Sequence, residues 1–310
     1  MPTVDERAQT VASGQRGLVT RAQLRAAGVS AATVRRRLVG GRWTEPLPGV
    51  LDLGTHEPTW HQRPQRLLLA AGPRSWVSHE SAAYLHRFLD VAEPSHIDVL
   101  VPRGRRASVG GIRLHTTLAI RDDETTVVRG LRCTTKARAL FDLAVTTSAS
   151  DLERLALDLA RRDRTAFRQL GDVLARHLDT PGRWRLVEVL LRLPQEAHLL
   201  GSALEVLIVA ELLRHGVPAP TLQFSVRDVG GAVIKRVDIA WPDLHIVIEV
   251  DGRAYHDTSA ARAQDEADRA RMRASRWTVH VLRHEDLGGS RIAQVAAEVR
   301  EAAARRTVGV

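Results

Sequence analysis

The chain has 310 residues, and its 45 Lys and Arg against 36 Asp and Glu give a formal net charge of +9. This length accommodates two or three domains, each with its own core. No apolar run approaches the roughly 18 residues that span a bilayer, and the start, MPTVDERAQT, lacks the apolar stretch of a signal peptide. The single cysteine, Cys133, excludes an internal disulfide and a cysteine-based zinc site. We therefore expect a cytoplasmic protein with no membrane partner.

The positive charge is densest at the N-terminus. Residues 1–50 contain eight Arg and three acidic residues, whereas residues 200–310 contain 15 basic and 15 acidic residues. A cluster of basic residues is the electrostatic footprint of a nucleic-acid partner. The distribution therefore predicts a nucleic-acid contact near the N-terminus.

The first fifty residues predict a pair of capped helices. Thr20 and Gln23 form a capping box that starts a helix over residues 21–27. Ser30 caps a second, basic helix, which ends at Gly40. Two helices joined by a short turn that contains glycine are typical of a helix-turn-helix.

The flanking segments extend this pattern to a winged helix-turn-helix over residues 1–55. A helix over residues 4–13 completes a three-helix core, and residues 42–53 predict a two-stranded wing. DNA would be read by the second helix, and the wing would reach the phosphate backbone. The alternative is a small helical adaptor with a solvated charged face. The residues that we expect to contact DNA are Thr33, Arg35, Arg36, Arg37 and Arg42.

Residues 56–195 predict an α+β domain. Two helices precede three strands, at residues 96–101, 111–117 and 127–133, and further helices follow. A segment with two prolines, residues 179–201, suggests a domain boundary near residue 195. The histidines of this region show no metal-ligand spacing, so we expect them to be solvated or hydrogen-bonded: His79, His86, His96 and His115.

A predicted hairpin, KRVDIAWPDLHIVIEVDG at residues 235–252, dominates the last third of the chain. Two β-branched runs are separated by a Pro-Asp dipeptide, which favours a turn. A tight turn that pairs Trp241 with Leu244 would place Asp238 opposite Val247.

Alternation of side chains along the strands puts three carboxylates, Asp238, Glu249 and Asp251, on one face of this hairpin. Their mutual repulsion is relieved by a divalent cation with a preference for oxygen ligands, such as Mg²⁺ or Mn²⁺. The alternative is an acidic face exposed to solvent. Glu205, in the first turn of a preceding helix, is either a favourable helix-dipole charge or a fourth acidic group near the metal.

The elements after residue 195 follow the order helix, three strands, helix, strand, helix, which fits a restriction-endonuclease-like nuclease core. Residues 202–287 resemble the bacterial family of uncharacterised domains related to very-short-patch repair endonucleases. The matching features are the helix with Glu205, the segments VDIAWPD and IVIEVDG, His256, Asp265 and the strand at Trp277.

This resemblance implies that Asp238 and Glu249 bind the metal and that Asp251 supports it or orients water. His256 would act as a base or an acid. Restriction endonucleases in general place a lysine two residues after the glutamate, where this chain has Asp251.

Residues 5–190 resemble the abortive-infection type IV antitoxin family. The resemblance depends on the winged N-terminus and on the segments SHESAAYLH, HIDVLVPRGRR and CTTKARALFDLA. It implies a regulator that binds DNA, with a cognate toxin or a second copy of the chain as partner.

Together these patterns predict an α+β multidomain protein with three domains, at residues 1–55, 56–195 and 196–310. The first hypothesis is a DNA-binding protein with a Mg²⁺-dependent endonuclease domain. The second is a non-catalytic, antitoxin-like transcriptional regulator with a degenerate nuclease domain. A third is an adaptor that binds only other proteins.

Overall fold

The structure is a computed structural model that describes residues 2–54, 59–88, 91–104, 112–177, 179–193, 201–251 and 259–308. The fold is mixed α+β, with separate sheets in different parts of the chain. Two compact units make up the chain, an N-terminal unit, Met1–Ala139, and a C-terminal unit, Leu140–Val310. In the described part of the chain, no helix has the length and apolar character needed to cross a membrane.

Three helices and a small sheet open the N-terminal unit. The helices are α1 (Val4–Ser13), α2 (Arg21–Ala26) and α3 (Ala31–Val39). The strands are β1 (Leu18–Thr20), β2 (Thr44–Leu47) and β3 (Val50–Asp52), in the order β1-β3-β2.

The predicted caps of α2 and α3 are confirmed. The Thr20 side chain accepts a hydrogen bond from the Gln23 amide in a complete capping box, and Ser30 accepts one from the Thr33 amide. The helices and the sheet share one apolar core, built around buried residues such as Val34 and Trp43. Strand β1 was not predicted, because three residues are too few to show a period of two.

A second sheet completes the N-terminal unit, in the order β6-β5-β4-β8-β7. Its strands are β4 (Trp76–Val77), β5 (Ile97–Pro102), β6 (Ile112–Thr117), β7 (Thr125–Val128) and β8 (Leu131–Thr134). The helices beside it are α4 (Gln62–Ala71) and α5 (His79–Leu85). The predicted single strand over residues 127–133 is wrong, because Arg129 and Gly130 both take positive φ and turn the chain into the β7–β8 hairpin.

Helix α6 (Lys136–Leu143) crosses the boundary between the units, and three helices follow it in the C-terminal unit. These are α7 (Ala149–Arg162), α8 (Arg164–Arg176) and α9 (Arg183–Leu191). Helix α9 lies in a segment where the sequence suggested a linker.

Helix α10 (Gly201–Arg214) is the centre of the C-terminal unit. It packs against α8, α9 and the last helix, α12 (Ser290–Val308). Nearly every described side chain of α10 is buried. A helix that is apolar on all sides is a core helix, and α10 packs with α8 and α9 inside the C-terminal unit.

A four-stranded sheet, in the order β12-β11-β10-β9, lies beside α10 in the C-terminal unit. Its strands are β9 (Thr221–Arg227), β10 (Val233–Trp241), β11 (Ile246–Asp251) and β12 (Thr278–Arg283). Strand β10 is antiparallel to both β9 and β11, whereas β11 and β12 are parallel to each other. A parallel pair needs a crossover, which α11 (Ser259–Ala274) supplies.

The pairing of β10 with β11 differs from the predicted register by two residues. Trp241 pairs with Ile246 and Ala240 with Val247, so Asp238 does not lie opposite Val247. A three-residue 3₁₀ turn followed by His245 in the left-handed conformation replaces the tighter predicted turn. A shift of two residues preserves the face of every side chain, so the shared face of the carboxylates is compatible with either register.

Candidate functional site

A cleft of about 780 Å³ opens beside β10, β11 and α11. Parallel strands end at the same edge of a sheet, and in α/β sheets this edge is the usual place for a ligand. The cleft, called the acidic cleft below, is lined by three predicted carboxylates and by several cations, among them Asp238, Glu249, Asp251, Lys235, Arg269 and Arg283.

Glu249 is buried in the acidic cleft between two cations. Its Oε1 lies 2.8 Å from Lys235 Nζ, and its Oε2 accepts a hydrogen bond of 2.7 Å from Arg269 Nε. The Lys235 ammonium also lies 2.8 Å from Asp265 Oδ1. Burial lowers the pKa of Lys235, but its hydrogen bonds to Asp265 and Glu249 outweigh burial and raise it. The ammonium therefore remains charged at neutral pH.

Asp238 lies where the described pairing of β10 and β11 stops, one residue beyond the Ile239–Ile248 pair. Its Oδ2 accepts the Val250 backbone N–H at 2.8 Å. Its Oδ1 accepts a hydrogen bond of 3.2 Å from Gln223 Nε2. Asp238 thus joins both neighbouring strands through its side chain, in addition to facing the cleft.

Glu205 is brought to Asp238 by the same amide. Gln223 Nε2 donates to Glu205 Oε1 at 3.0 Å, so one nitrogen bridges the two carboxylates. Burial raises the pKa of Glu205, the hydrogen bond from Gln223 opposes this, and the charge of Asp238 adds to it, with a resulting pKa of about 7. Glu205 therefore titrates near neutrality. Its predicted place in the first turn is wrong, because α10 begins at Gly201 and its first turn contains no acidic residue.

Asp251 ends β11 and accepts a hydrogen bond of 3.1 Å from Arg283 Nε, its partner in the β11–β12 ladder. It contributes a paired charge at the rim of the cleft. His256, predicted as an acid or base, lies outside the described residues.

Three residues of the site carried no assigned role in the sequence: Lys235, Arg269 and Gln223. Lys235, which comes from the preceding strand, contacts Glu249. The sequence offered no signal for it, because the pairing of β10, β11 and α11 decides which cation reaches Glu249.

The predicted metal trio is not gathered at ligand distance. Among the described residues, a group of three or more possible ligands with all atoms within 4.8 Å occurs at Glu80, His96 and Asp98. Asp238, Glu249 and Asp251 instead each contact a different cation or amide.

The histidines of the N-terminal unit form hydrogen bonds, as predicted, at His79, His86 and His115. His115 Nε2 lies 2.8 Å from Asp98 Oδ1, and His96 Nε2 lies 3.6 Å from Asp98 Oδ2. The ring of His79 stacks on that of His115 with centroids 3.5 Å apart. Three histidines therefore surround the buried Asp98, although their spacing along the chain suggested no common site. His86 is separate and contacts the Thr134 carbonyl at 2.7 Å.

The predicted DNA contacts divide into exposed and paired arginines. Arg35 and Arg36 on α3 are exposed, and so is Arg42 at the start of the predicted wing. Arg37 forms a two-pronged ion pair with Asp5 on α1, with contacts of 3.0 and 2.5 Å. Thr33 lies 3.1 Å from the Ser30 hydroxyl. The exposed arginines are thus available to phosphate, whereas Arg37 also ties α3 to α1.

Comparisons with known proteins find distant relatives. No family model matches the chain. Over 204 residues the chain is 28% identical to an uncharacterized protein that is present in two strains of Mycobacterium tuberculosis, as MT2308 and Rv2248, covering 64% of this chain and 70% of the relative. Among solved structures, the RV2827C protein from Mycobacterium tuberculosis is similar with a TM-score of 0.33 and 16% identity, over 68% of this chain and 78% of that chain.

Proposed function

We propose that the protein binds DNA and hydrolyses its phosphodiester bonds in the acidic cleft with a divalent metal, Mg²⁺ or Mn²⁺. The observation that carries the proposal is the contact of 2.8 Å between Lys235 Nζ and Glu249 Oε1 in a cleft that Asp238 also lines. Carboxylates that bind a metal and an ammonium that stabilises developing charge are groups that can promote phosphodiester hydrolysis.

The layout of the C-terminal unit supports a restriction-endonuclease-like core. A helix precedes an antiparallel three-stranded meander, and a second helix crosses over to a parallel fourth strand. Asp238 and Glu249 come from neighbouring strands of this sheet, as the resemblance to very-short-patch repair endonucleases implies.

The carboxylates beside the cleft are of the ligand type that a divalent metal prefers. Glu205 and Asp238 are bridged by one amide, and burial beside a second carboxylate raises the pKa of Glu205 to about 7. Two desolvated carboxylates repel each other, and a cation with oxygen ligands relieves that repulsion. Asp238 and Glu249 would hold the metal, with Glu205 as a neighbouring acid. When bound, the metal would polarise the scissile phosphate and lower the pKa of a bound water.

The protein's own residues would perform the remaining tasks. Lys235 would donate a hydrogen bond to a phosphate oxygen and so stabilise the negative charge that develops there. Arg269 would hold Glu249 in place. Arg283 and the exposed arginines at the rim would bind the phosphates on either side of the scissile bond. Glu205, with a pKa of about 7, is suited to accept a proton from the attacking water.

The N-terminal residues would provide most of the affinity for DNA. The order helix, strand, helix, helix and two strands, with sheet order β1-β3-β2, supports a winged helix-turn-helix over residues 1–55. Its exposed α3 arginines, Arg35 and Arg36, would contact DNA, with Arg42 on the backbone.

Cleavage of supercoiled plasmid with Mg²⁺ or Mn²⁺ tests the proposal. We expect wild-type protein to nick or linearise the plasmid and to lose activity after treatment with a chelator. Asp238→Ala and Glu249→Ala should each abolish cleavage. An exposed position outside the cleft, Asp243→Ala, is the matched control and should cleave normally. Cleavage that survives both cleft substitutions would contradict the mechanism.

A second candidate, a regulator with a degenerate nuclease domain, is favoured by one observation. Both oxygens of Glu249 already contact protein cations, Lys235 and Arg269, which neutralises the carboxylate without a metal. Such a protein would bind the promoter upstream of its own gene and act with a cognate toxin or a second copy of the chain. Footprinting on that promoter, with no cleavage in either metal, would select this function over the first.

A further inference from the structure

We propose that the N-terminal unit contains a transition-metal site, suited to Zn²⁺, whose ligands are Glu80, His96 and Asp98. This site is independent of the acidic cleft, since all of its residues belong to the other compact unit. The proposal does not depend on the proposed nuclease function.

The three side chains converge because of how β5 meets α5. Strand β4, which immediately precedes α5, is antiparallel to β5, with Val77 opposite Val99. The first turn of α5, with Glu80, therefore lies beside Asp98 at the start of β5. His96 is the residue just before that strand.

The two distances from His96 to the carboxylates match a tetrahedral metal, and all three ligand atoms lie within 4.8 Å of one another. His96 Nε2 lies 3.4 Å from Glu80 Oε2 and 3.6 Å from Asp98 Oδ2. Bonds of about 2.0–2.1 Å to a tetrahedral Zn²⁺ place neighbouring ligand atoms roughly 3.4 Å apart. Imidazole nitrogen together with carboxylate oxygen is also a ligand set that zinc accepts.

The orientation of His96 favours a ligand over an ion pair. A protonated imidazole would direct its N–H at one carboxylate oxygen. Here Nε2 is buried and makes no hydrogen bond, although two carboxylates lie at similar distances from it. A lone pair that points between two carboxylates is what a shared cation requires.

Asp98 is held in place by groups that are not themselves ligands. It is 2% exposed, its Oδ1 contacts His115 Nε2 at 2.8 Å, and its Oδ2 accepts hydrogen bonds of 3.3 Å from the Ser81 amide and hydroxyl. Ligating carboxylates in metal sites are oriented by such outer hydrogen bonds. The stack of His79 on His115 fixes the second imidazole in turn.

Three protein ligands leave a fourth position for water or an incoming ligand. This number is typical of reactive zinc centres, whereas structural centres have four protein ligands. We therefore infer a site that remains open to exchange, with a Lewis-acidic metal on the face where β5 and α5 meet.

Metal binding by the full chain tests this site without reference to catalysis. After treatment with a chelator, the protein would be titrated with Zn²⁺ by calorimetry and with Co²⁺ by visible absorption. We expect one site with the absorption of tetrahedral Co²⁺, and His96→Ala should weaken binding by more than about 100-fold, beyond the loss caused by removing an orienting group. Glu80→Gln should weaken it as well, and its side chain is 46% exposed, so this variant should fold normally.

Two controls separate this site from other metal-binding groups. His245→Asn removes an exposed histidine of the other unit and keeps a residue that tolerates its left-handed backbone, and it should bind Zn²⁺ as the wild type does. Asp238→Ala with Glu249→Ala should also leave this site intact. Equal Zn²⁺ affinity in wild type, His96→Ala and Glu80→Gln would overturn the proposal, and so would loss of the Co²⁺ signal only in the cleft double variant.

Discussion

The Lys235 ammonium lies 2.8 Å from Glu249 Oε1 and is shared with Asp265, which is also 2.8 Å away. One cation from β10 is therefore held between a carboxylate of β11 and one of α11. Two fixed contacts restrict the rotamers of a side chain that is otherwise flexible. The ammonium is thus oriented in the cleft before any substrate enters.

Replacing Lys235 tests whether this orientation serves catalysis. We expect Lys235→Met to lower the single-turnover rate of plasmid cleavage by about 100-fold, because one donor to a developing charge is worth roughly that much. DNA affinity, measured separately by fluorescence anisotropy, should change little, since several arginines also line the cleft. A wild-type cleavage rate in Lys235→Met would show that the lysine has no role in catalysis and only stabilises the fold.

Glu205 should make stability depend on pH in the metal-free protein. Its pKa is raised to about 7 from an ordinary value of 4.5, so between these values the folded state binds more protons than the unfolded state. Stability from this group is therefore full below pH 4.5 and is lost as the pH rises towards 7, by up to about 3 kcal/mol. Urea unfolding at a series of pH values measures the loss.

Glu205→Gln supplies the control for that dependence. The amide has a similar shape and does not titrate, so the difference in unfolding free energy between the variant and wild type should grow from pH 5 to pH 8. Parallel curves for the two proteins would show that Glu205 has an ordinary pKa.

A buried ion pair should make the N-terminal unit sensitive to one substitution. Arg138 Nη1 lies 2.5 Å from Glu124 Oε2, and their side chains are 2% and 1% exposed. Glu124→Ala leaves a buried guanidinium without that partner, which should cost about 3–5 kcal/mol. The unfolding midpoint in urea reports the loss.

The matched control is the exposed pair of Arg121 and Asp123, which lies next to Glu124 and is separated by 3.6 Å. Arg121→Ala should change stability by less than about 1 kcal/mol, because water screens exposed charges. A similar loss of unfolding free energy in both variants would show that burial does not determine the cost of breaking the pair.

DNA binding should depend on the two exposed arginines of α3. Arg35→Ala with Arg36→Ala should weaken binding and reduce the slope of log affinity against log salt by about 2, one for each lost phosphate contact. Arg21→Ala is the control, because Arg21, although exposed, is held in an ion pair with Glu45 at 2.5 Å. An unchanged salt slope in the double variant would place the DNA contact elsewhere.

The elements that local chemistry determines were predicted well. Thr20 and Ser30 cap their helices as expected, and the helix over residues 4–13 has the predicted bounds. Capping depends on residues within one turn, so the sequence contains the whole signal. The two strands of residues 42–53 are confirmed for a similar reason, since they are joined by a short turn.

Features that depend on distant residues were missed or misplaced. The predicted hairpin register was wrong by two residues because the left-handed His245 lengthens the turn. A histidine at that position does not predict a left-handed backbone. Lys235 and Gln223 reach the carboxylates only through strand pairing. The histidines beside Asp98 come from α5, from the residue before β5 and from β6, and 17 residues separate Asp98 from Ser81 and from His115. The spacing of these residues along the chain therefore does not predict the cluster.

The parallel pairing of β11 with β12 also determines when the acidic cleft exists. Asp251 lies beside Arg283 only after the crossover helix has folded and β12 has joined the sheet. Asp238 and Glu249 are synthesised before β12, the strand that pairs with β11, because synthesis proceeds from the N-terminus. The lining of the cleft is thus complete only after residue 283 has left the ribosome. In the proposed function, DNA binding by the α3 arginines would therefore precede cleavage during synthesis of the chain.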